Sequence, residues 1–391
     1  MESTASQTST PGTPSTDGGV DAALPTPANT EPATAAAAAK PARPNLAAVA
    51  ALAGVSASTA SLAFSGAGPV AEATRARVLA AAESLNYAGP DPRAQSLRRG
   101  RSGVIGVVIE DRLSDAFRDP MNVAMLDGIA EELGTVGAAL LLLTETSPTP
   151  DTHASIGTAP MDAVILIGCS TRLDDAVAVL RQRGMPIVAI EAATMPGVLG
   201  IGLDNRAATA RAARYLQVLG HVDAAVVTLP LDPTHVPGDL PADWAQSATS
   251  YTALERLRGV ADVYPNATGR VSSGSSINEG YLAGLHLLGY DEHPTAIIAQ
   301  SDLLAVGVIR AAEELGLNVP GDVSVVGFDG IRLDGEYSYE LTTLVQPAVE
   351  KGRAAGRAAL AMLDGGTPTS VNFTSTLREG STSGPAPTPA P

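Results

Sequence analysis

The chain has 391 residues, 45% hydrophobic and 17% charged, a balance that fits globular folding in more than one domain. Its formal charge of −16 at pH 7 excludes a uniformly basic binder of nucleic acid or membrane surfaces, and no apolar run approaches the ~18–20 residues that cross a bilayer. The single cysteine, Cys169, excludes an internal disulfide, and no basic segment leads into an apolar core at the N-terminus, so the expectation is a cytoplasmic protein.

Residues 1–42 are Ser, Thr, Pro, Ala and Gly with almost no large apolar side chains, and read as a disordered tail. From Asn45 the pattern becomes helical. Asn45 suits a helix N-cap, Leu46, Val49, Ala50 and Ala53 share one apolar face, and Gly54 permits the left-handed turn that ends the helix. Val55 plugs the space beneath, and Ser56 caps a second short helix that turns Ala60 and Ala63 or Phe64 inward and Ser58, Thr59 and Ser61 outward. Two short helices joined by a Gly-containing turn make a helix-turn-helix, whose second helix fits the DNA major groove. The alternative for this stretch is an Ala-rich hairpin in a larger core. A third helix follows, with Glu72 near its start and Val78, Leu79, Ala82 and Leu85 packing across the first two; Tyr87 and Gly89-Pro90 end it. Asp91 to Gly100 reads as a short capped helix that orders on contact with DNA or a partner copy. Between Arg43 and Arg101 seven arginines face three carboxylates, Glu72, Glu83 and Asp91, a surplus of four positive charges in an acidic chain. Contact with phosphate requires this asymmetry, because only the docking module must be positive.

From Gly103 apolar strands alternate with helices: strands at 104–109, 138–143, 163–167, 187–190, 201–204, 224–229, 296–299 and 323–326, and helices at 123–134, 174–183, 206–219, 303–315 and 348–363. Such alternation means an α/β body of doubly wound parallel sheets. The strand count suffices for two sheets, hence two lobes with a cleft between them. Ligands bind such folds at the carboxyl ends of strands, which singles out 111–119, Glu191, Asp204 and Ser301-Asp302. Cys169 ends an apolar run and suits a buried, inert thiol. Residues 380–391 read as a second disordered tail.

In this order the modules resemble the lac repressor (LacI/GalR-type) family of bacterial transcription regulators. The residues that carry the resemblance are Leu46-x-x-Val49-Ala50-x-x-Ala53-Gly54-Val55-Ser56-x-x-Thr59, Thr74-Arg75-x-x-Val78, Ala94-Gln95-Ser96-Leu97, Gly220-His221, Ser301-Asp302 and Val325-Val326-Gly327-Phe328-Asp329. The resemblance covers Asn45 to Leu377. It implies a DNA-binding helix-turn-helix domain over 43–90, a hinge helix and linker over 91–102, and a two-lobed effector and dimerisation domain of periplasmic-binding-protein type over 103–379. Its N-lobe is expected at about 103–204 and 330–346, its C-lobe at about 205–329 and 347–379.

The implied activity is that of a homodimeric repressor on a near-palindromic operator, controlled by a small-molecule effector such as a sugar, with no cofactor, metal, catalytic residue or membrane partner. Ala57, Ser58 and Ser61 would face base edges, Thr59 would lie near phosphate, and Leu97 would wedge into the minor groove. Asn45, Leu46, Ser56, Leu62, Ser65, Thr74, Arg93, Ala94 and Arg98 complete the implied DNA surface. For the effector the resemblance points to Asp302, Arg256 and Glu191, with Asp111 and Ser275 beside them: a carboxylate accepting two ligand hydroxyls, a planar donor fork and an acidic contact.

Three departures stand out. Leu62 occupies a position where the family often has the guanine-reading Arg. Ala71 replaces a serine that caps the third helix. Ser275 stands where relatives place an aromatic ring, and Trp244, the only tryptophan, is either a replacement ring or an exposed loop residue with no role. An enzyme finds no support, for the five histidines lack metal spacing, there is no C-x-x-C, and Gly200-x-Gly202 lacks the third glycine of a dinucleotide fingerprint. A free solute-binding protein of periplasmic sugar-receptor type would carry an export signal and no helix-turn-helix.

Overall fold

The computed structural model describes residues 44–66, 68–89, 96, 100–109, 117–144, 156–168, 174–332 and 339–388. They fall into two compact units divided after Pro90. Arg93, Ala94, Leu97, Arg98, Asp111, Cys169 and the tail 1–42 lie outside the described residues. No single described helix is long and apolar enough to cross a membrane.

The first unit is three helices, α1 (Leu46–Ala53), α2 (Ala57–Ser65) and α3 (Glu72–Ser84). Local chemistry fixes the first two. The Asn45 side chain accepts from the Ala48 N–H at 2.9 Å, and Gly54 closes α1 at φ 64°, where a Cβ would be strained. Ser56 Oγ accepts from the Thr59 N–H at 3.1 Å, and α1 and α2 meet at 102°. Val49, Ala50, Ala53, Ala60, Ala63, Val78, Ala81 and Ala82 form the core, with Phe64 edge-on to Tyr87 at a centroid distance of 5.7 Å. The packing face of α3 is Val78, Ala81 and Ala82; the expected Leu79 is 47% exposed, because neighbouring positions on a helix point about 100° apart. Ala71 gives α3 no side-chain cap, as its identity implies.

The second unit holds two sheets. In chain order its elements are β1 (Val104–Ile109), α4 (Pro120–Thr135), β2 (Ala139–Thr144), β3 (Ala163–Ile167), α5 (Asp174–Gln182), β4 (Ile187–Ile190), β5 (Leu199–Leu203), α6 (Asn205–Val218), β6 (Ala225–Thr228) and β7 (Gly238–Asp239). Then come α7 (Trp244–Ser247), α8 (Tyr251–Ala261), β8 (Gly269–Val271), α9 (Ile277–Leu288), β9 (Ala296–Ala299), α10 (Asp302–Glu314), β10 (Ser324–Asp329), β11 (Thr342–Val345), α11 (Ala348–Leu363), β12 (Val371–Phe373) and β13 (Thr376–Arg378). The N-lobe sheet runs β12-β5-β4-β3-β1-β2, all parallel. The C-lobe sheet runs β13-β11-β10-β9-β6-β8-β7, parallel except at its two outer strands. Each sheet buries apolar side chains on both faces, as parallel sheets between helices must.

The lobe boundaries correct the sequence-based expectation. Residues 342–345 pair with β10 and so belong to the C-lobe, not the N-lobe. Helix α11 returns to the N-lobe, packing on α4 where Gly352 and Gly128 bring the backbones together. Strand β12 also lies in the N-lobe sheet and β13 in the C-lobe sheet, so the chain crosses between lobes near 204, 347 and 374. Asp204 ties two crossings, accepting from the Ser375 N–H at 2.8 Å while Arg211 holds its other oxygen at 2.9 Å.

The C-terminal segment is a second correction. Residues 380–388 are docked on the C-lobe rather than free of it. Thr382 is 1% exposed and exchanges backbone and hydroxyl bonds with Val325 and Thr342, and the Gly384 carbonyl meets His221 Nε2 at 3.1 Å. Small hydroxyl residues here serve unpaired strand and helix ends, a role that polar composition does not reveal.

Candidate functional site

In the first unit α2 presents Ala57, Ser58, Leu62 and Ser65 as exposed residues and Thr59 and Ser61 as half-buried ones, and carries no charged side chain. Ser56 Oγ stands 2.8 Å from the hydroxyls of both Ser58 and Thr59, so three candidate DNA contacts form one hydrogen-bonded cluster at the helix N-terminus. Leu62 is 39% exposed, an apolar side chain on a surface otherwise lined with small polar groups. Asn45 serves as a cap, and Leu46 packs against the core rather than standing free. Thr74 is half-buried on α3 beside Arg75, whose guanidinium lies near Gly66 and whose enclosed Nε has no hydrogen-bond partner among the described residues.

In the second unit a cavity of about 190 Å³ opens between the lobes. Its walls come from strand carboxyl ends in both sheets: Ile109, Ile167 and Glu191 from one, Leu229, Ser301 and Asp329 from the other. Arg256 lines it and is 3% exposed. Its Nε donates to Asn205 Oδ1 at 2.8 Å and its Nη1 to the Gln300 carbonyl; Phe328 lies beneath it, and the carboxylates of Glu191 and Asp329 stand 3.8 and 3.7 Å away. Glu191 accepts from Asn205 Nδ2 at 2.8 Å and from the ammonium of Lys351, which is fully buried on α11. Burial pushes the Glu191 carboxyl upward, but Lys351 and Arg256 outweigh it and hold the group below the usual carboxylate range.

Asp329 is the opposite case. Burial, with the nearby charges of Asp302 and Asp119, raises it well above the ordinary value against the pull of Arg256 and of Gln346 Nε2, which donates to it at 2.6 Å. Among the described residues four non-glycine backbones have positive φ, and three of them, Glu191, His235 and Asp329, line this cavity. Strain of that kind gathers where a site dictates side-chain direction.

Of the effector residues expected from sequence, Glu191, Arg256 and Ser275 meet in the cavity, where Ser275 Oγ donates to Ser301 Oγ at 2.9 Å. Asp302 does not join them. It is fully buried behind the wall, accepting from the N–H groups of Gly330 and Ile331 at 2.7 and 2.8 Å and from the Thr343 hydroxyl at 2.5 Å. Burial raises it to about 6. Its carboxylate holds the turn after β10 and the Thr343 hydroxyl, so Asp302 stands behind the cavity wall and not among the lining residues. Trp244 begins α7, half-buried against the C-lobe core and outside the cavity walls. Tyr251 and His235 are ring side chains that do line the cavity.

Sequence reasoning passed over Asn205, Asp329, Gln346 and Lys351. Asp329 carried a usable signal, being the last residue of a buried strand. Lys351 carried none, since a lysine in the first turn of an amphipathic helix reads as solvated.

The comparisons with known proteins fit both units. A profile described as bacterial regulatory proteins, lacI family, matches residues 45–89, and one described as periplasmic binding protein-like domain matches 213–383. An HTH-type transcriptional regulator of Mycolicibacterium smegmatis is 32% identical over 80% of this chain and 88% of its own. The chain belongs to the LacI family of bacterial transcription regulators. Another relative, the HTH-type transcriptional regulator IpsA of Corynebacterium glutamicum, is 30% identical over 78% of this chain and 88% of its own. The crystal structure of a LacI-family regulator from Corynebacterium glutamicum is 27% identical, covers 86% of this chain and 98% of that one, and superposes with a TM-score of 0.65. The lac repressor dimer bound to operator and the anti-inducer ONPF, 24% identical over 85% of this chain and 97% of its own, shares the fold with a TM-score of 0.68. The LacI-family assignment settles the class: this is a DNA-binding transcription regulator, and the free solute-binding alternative falls away.

Proposed function

We propose that this LacI-family chain is a dimeric repressor of a near-palindromic operator, and that a small, neutral, hydroxyl-rich metabolite in the cavity sets its DNA affinity. Ala57, Ser58, Ser61 and Leu62 face base edges, and Thr59, Thr74 and Arg75 face phosphate. With no guanidinium on α2, base readout falls to hydroxyls, water and apolar contact with thymine methyl groups. Leu97, outside the described residues, is assigned the minor-groove wedge.

The observation that carries the effector reading is the charge of the cavity walls. Among the described wall residues Arg256 is the one Lys or Arg, and its guanidinium is already engaged by Asn205 and the Gln300 carbonyl between Glu191 and Asp329, so an anionic ligand has little to pair with while hydroxyl groups find acceptors. Glu191, Arg256 and Ser275 are assigned direct contacts and Asp302 a supporting one. A ligand touching both lobes favours one relative orientation of them, and so shifts the population of DNA-competent dimers. No residue is assigned a catalytic role.

The test is a thermal-shift screen of the full chain with neutral sugars, cellobiose and ribose among them, beside their phosphate esters. A neutral sugar should raise Tm in proportion to the logarithm of its concentration, and its phosphate ester should not. Stabilisation by the esters alone would overturn the neutral-ligand reading.

A further inference from the structure

The floor of the cavity stands on a cation that no ligand can touch. Lys351 is 0% exposed, and lysines are almost never fully buried unless paired. Its ammonium donates to Glu191 Oε1 and to Gln346 Oε1. Followed onward, these contacts close a ring. Gln346 Nε2 donates to Asp329, Asp329 faces Arg256 at 3.7 Å, Arg256 Nε donates to Asn205 Oδ1, and Asn205 Nδ2 donates to Glu191 Oε2. Glu191 and Lys351 belong to the N-lobe, Arg256 and Asp329 to the C-lobe, and Asn205 and Gln346 to two of the crossings. Glu191, Arg256, Asp329 and Gln346 face the cavity, while Lys351 and Asn205 lie behind it.

We propose that Lys351 is a positioning residue of the cavity, acting through Glu191 and Gln346: it keeps Glu191 a carboxylate and fixes which end of the Gln346 amide meets Asp329. The proposal deepens the effector reading above and takes the same site as its subject. An amide has a donor end and an acceptor end. With the ammonium on Oε1, the NH2 of Gln346 must face Asp329; without it, the amide is free to turn its oxygen toward the Asp329 carboxyl. Glu191 is also buried, and Arg256 Nη2 stands 3.8 Å from it, beyond hydrogen-bond reach, so Lys351 is the cation in direct contact. The groups facing Glu191 are Lys351 from α11, Arg256 and Tyr251 from α8, and Asn205 from α6. Charge held in this way leaves Glu191 an acceptor only, suited to a ligand hydroxyl.

The test needs no ligand. Thermal unfolding of the full chain is followed at about pH 5 and about pH 7.5 for wild type, Lys351→Met and Lys351→Gln, alone and with Glu191→Gln. In wild type the folded Glu191 value lies below its unfolded one, so its contribution is constant across this window. Once the ammonium is removed, burial dominates and the folded value rises above the unfolded one. Stability is then lost as pH climbs through that raised value. The Tm deficit of Lys351→Met should therefore grow by roughly 3 °C or more between the two pH values. Lys351→Gln, which keeps a donor without the charge and serves if the Met variant does not fold, should show the same growth. Adding Glu191→Gln should abolish it; Asp302, raised to about 6, and Asp329, also raised by burial, are present in every variant. A deficit equal at both pH values, or growth that survives Glu191→Gln, would overturn the proposal. Because no effector is used, either result stands apart from the outcome of the sugar screen.

Discussion

The guanidinium carbon of Arg256 lies 3.6 Å from the centroid of the Phe328 ring. Stacking on that face, together with the bonds to Asn205 and the Gln300 carbonyl, fixes the plane of the fork in the cavity. Lys carries the same charge without the plane. Arg256→Lys should therefore lower stability by about 1–3 kcal/mol in urea titration and weaken effector binding, whereas Arg256→Ala, leaving the buried Asp329 without its facing cation, should lower it by about 3–5 kcal/mol. Equal stability of wild type and Arg256→Lys would show that the stacked fork contributes nothing.

Asp302 separates two kinds of damage. In Asp302→Asn the side-chain oxygen still accepts from Gly330 and Ile331 while the NH2 donates to the Thr343 hydroxyl; Asp302→Ala leaves two backbone donors unsatisfied at about 1–3 kcal/mol each. The wild-type carboxyl is raised by burial to about 6, above its unfolded value, so its favourable contribution is complete below about pH 4 and is lost as pH rises through about 6. Asp302→Asn lacks that loss. Its Tm relative to wild type should climb between about pH 5 and about pH 7, and a flat difference would contradict the raised value.

Gly352 sits where α11 crosses α4, and a Cβ there would lie 2.1 Å from the Met125 carbonyl oxygen. Backbone cannot retreat cheaply from such contact. Gly352→Ala should cost about 2 kcal/mol or more by denaturant titration despite the better helix propensity of alanine. Wild-type stability in this variant would mean that the helices are free to slide apart.

Ala71 precedes α3 with an extended backbone and no capping side chain. Ala71→Ser should stabilise the helical head by about 0.5–2 kcal/mol, read as slower amide exchange in α3, and Ser56→Ala should destabilise it by a similar amount while disrupting the Ser58–Thr59 cluster. Unchanged exchange in both variants would remove the capping argument.

Much of the fold was legible because local rules dominate there. Asn45, Gly54 and Ser56 mark the ends of the first helices by their own chemistry, and runs such as Val104–Ile109 and Ala163–Ile167 admit little but buried strands. The division into lobes was not legible, because Thr342–Val345 looks the same whichever sheet it joins and only long-range pairing decides. The C-terminal hydroxyls looked like a tail because their partners, Val325, Thr342 and His221, are remote in sequence. In the cavity, position at strand ends found Glu191, and family resemblance found Arg256 and Ser275. Resemblance also promoted Asp302, whose carboxylate the turn at Gly330 claims. Lys351 escaped both routes, since its burial depends on Glu191, which lies 160 residues away in the chain.

The central claim joins a DNA-binding head to a ligand cavity that governs it. The most direct measurement is anisotropy titration of the full chain on a duplex selected from random sequence, across salt concentrations, with and without the sugar found by thermal shift. The account predicts steeply salt-dependent, sequence-selective binding whose Kd moves about tenfold or more with sugar in wild type and stays put in Glu191→Gln. Binding that does not distinguish the selected duplex from random DNA, or an equal sugar response in wild type and Glu191→Gln, would contradict it.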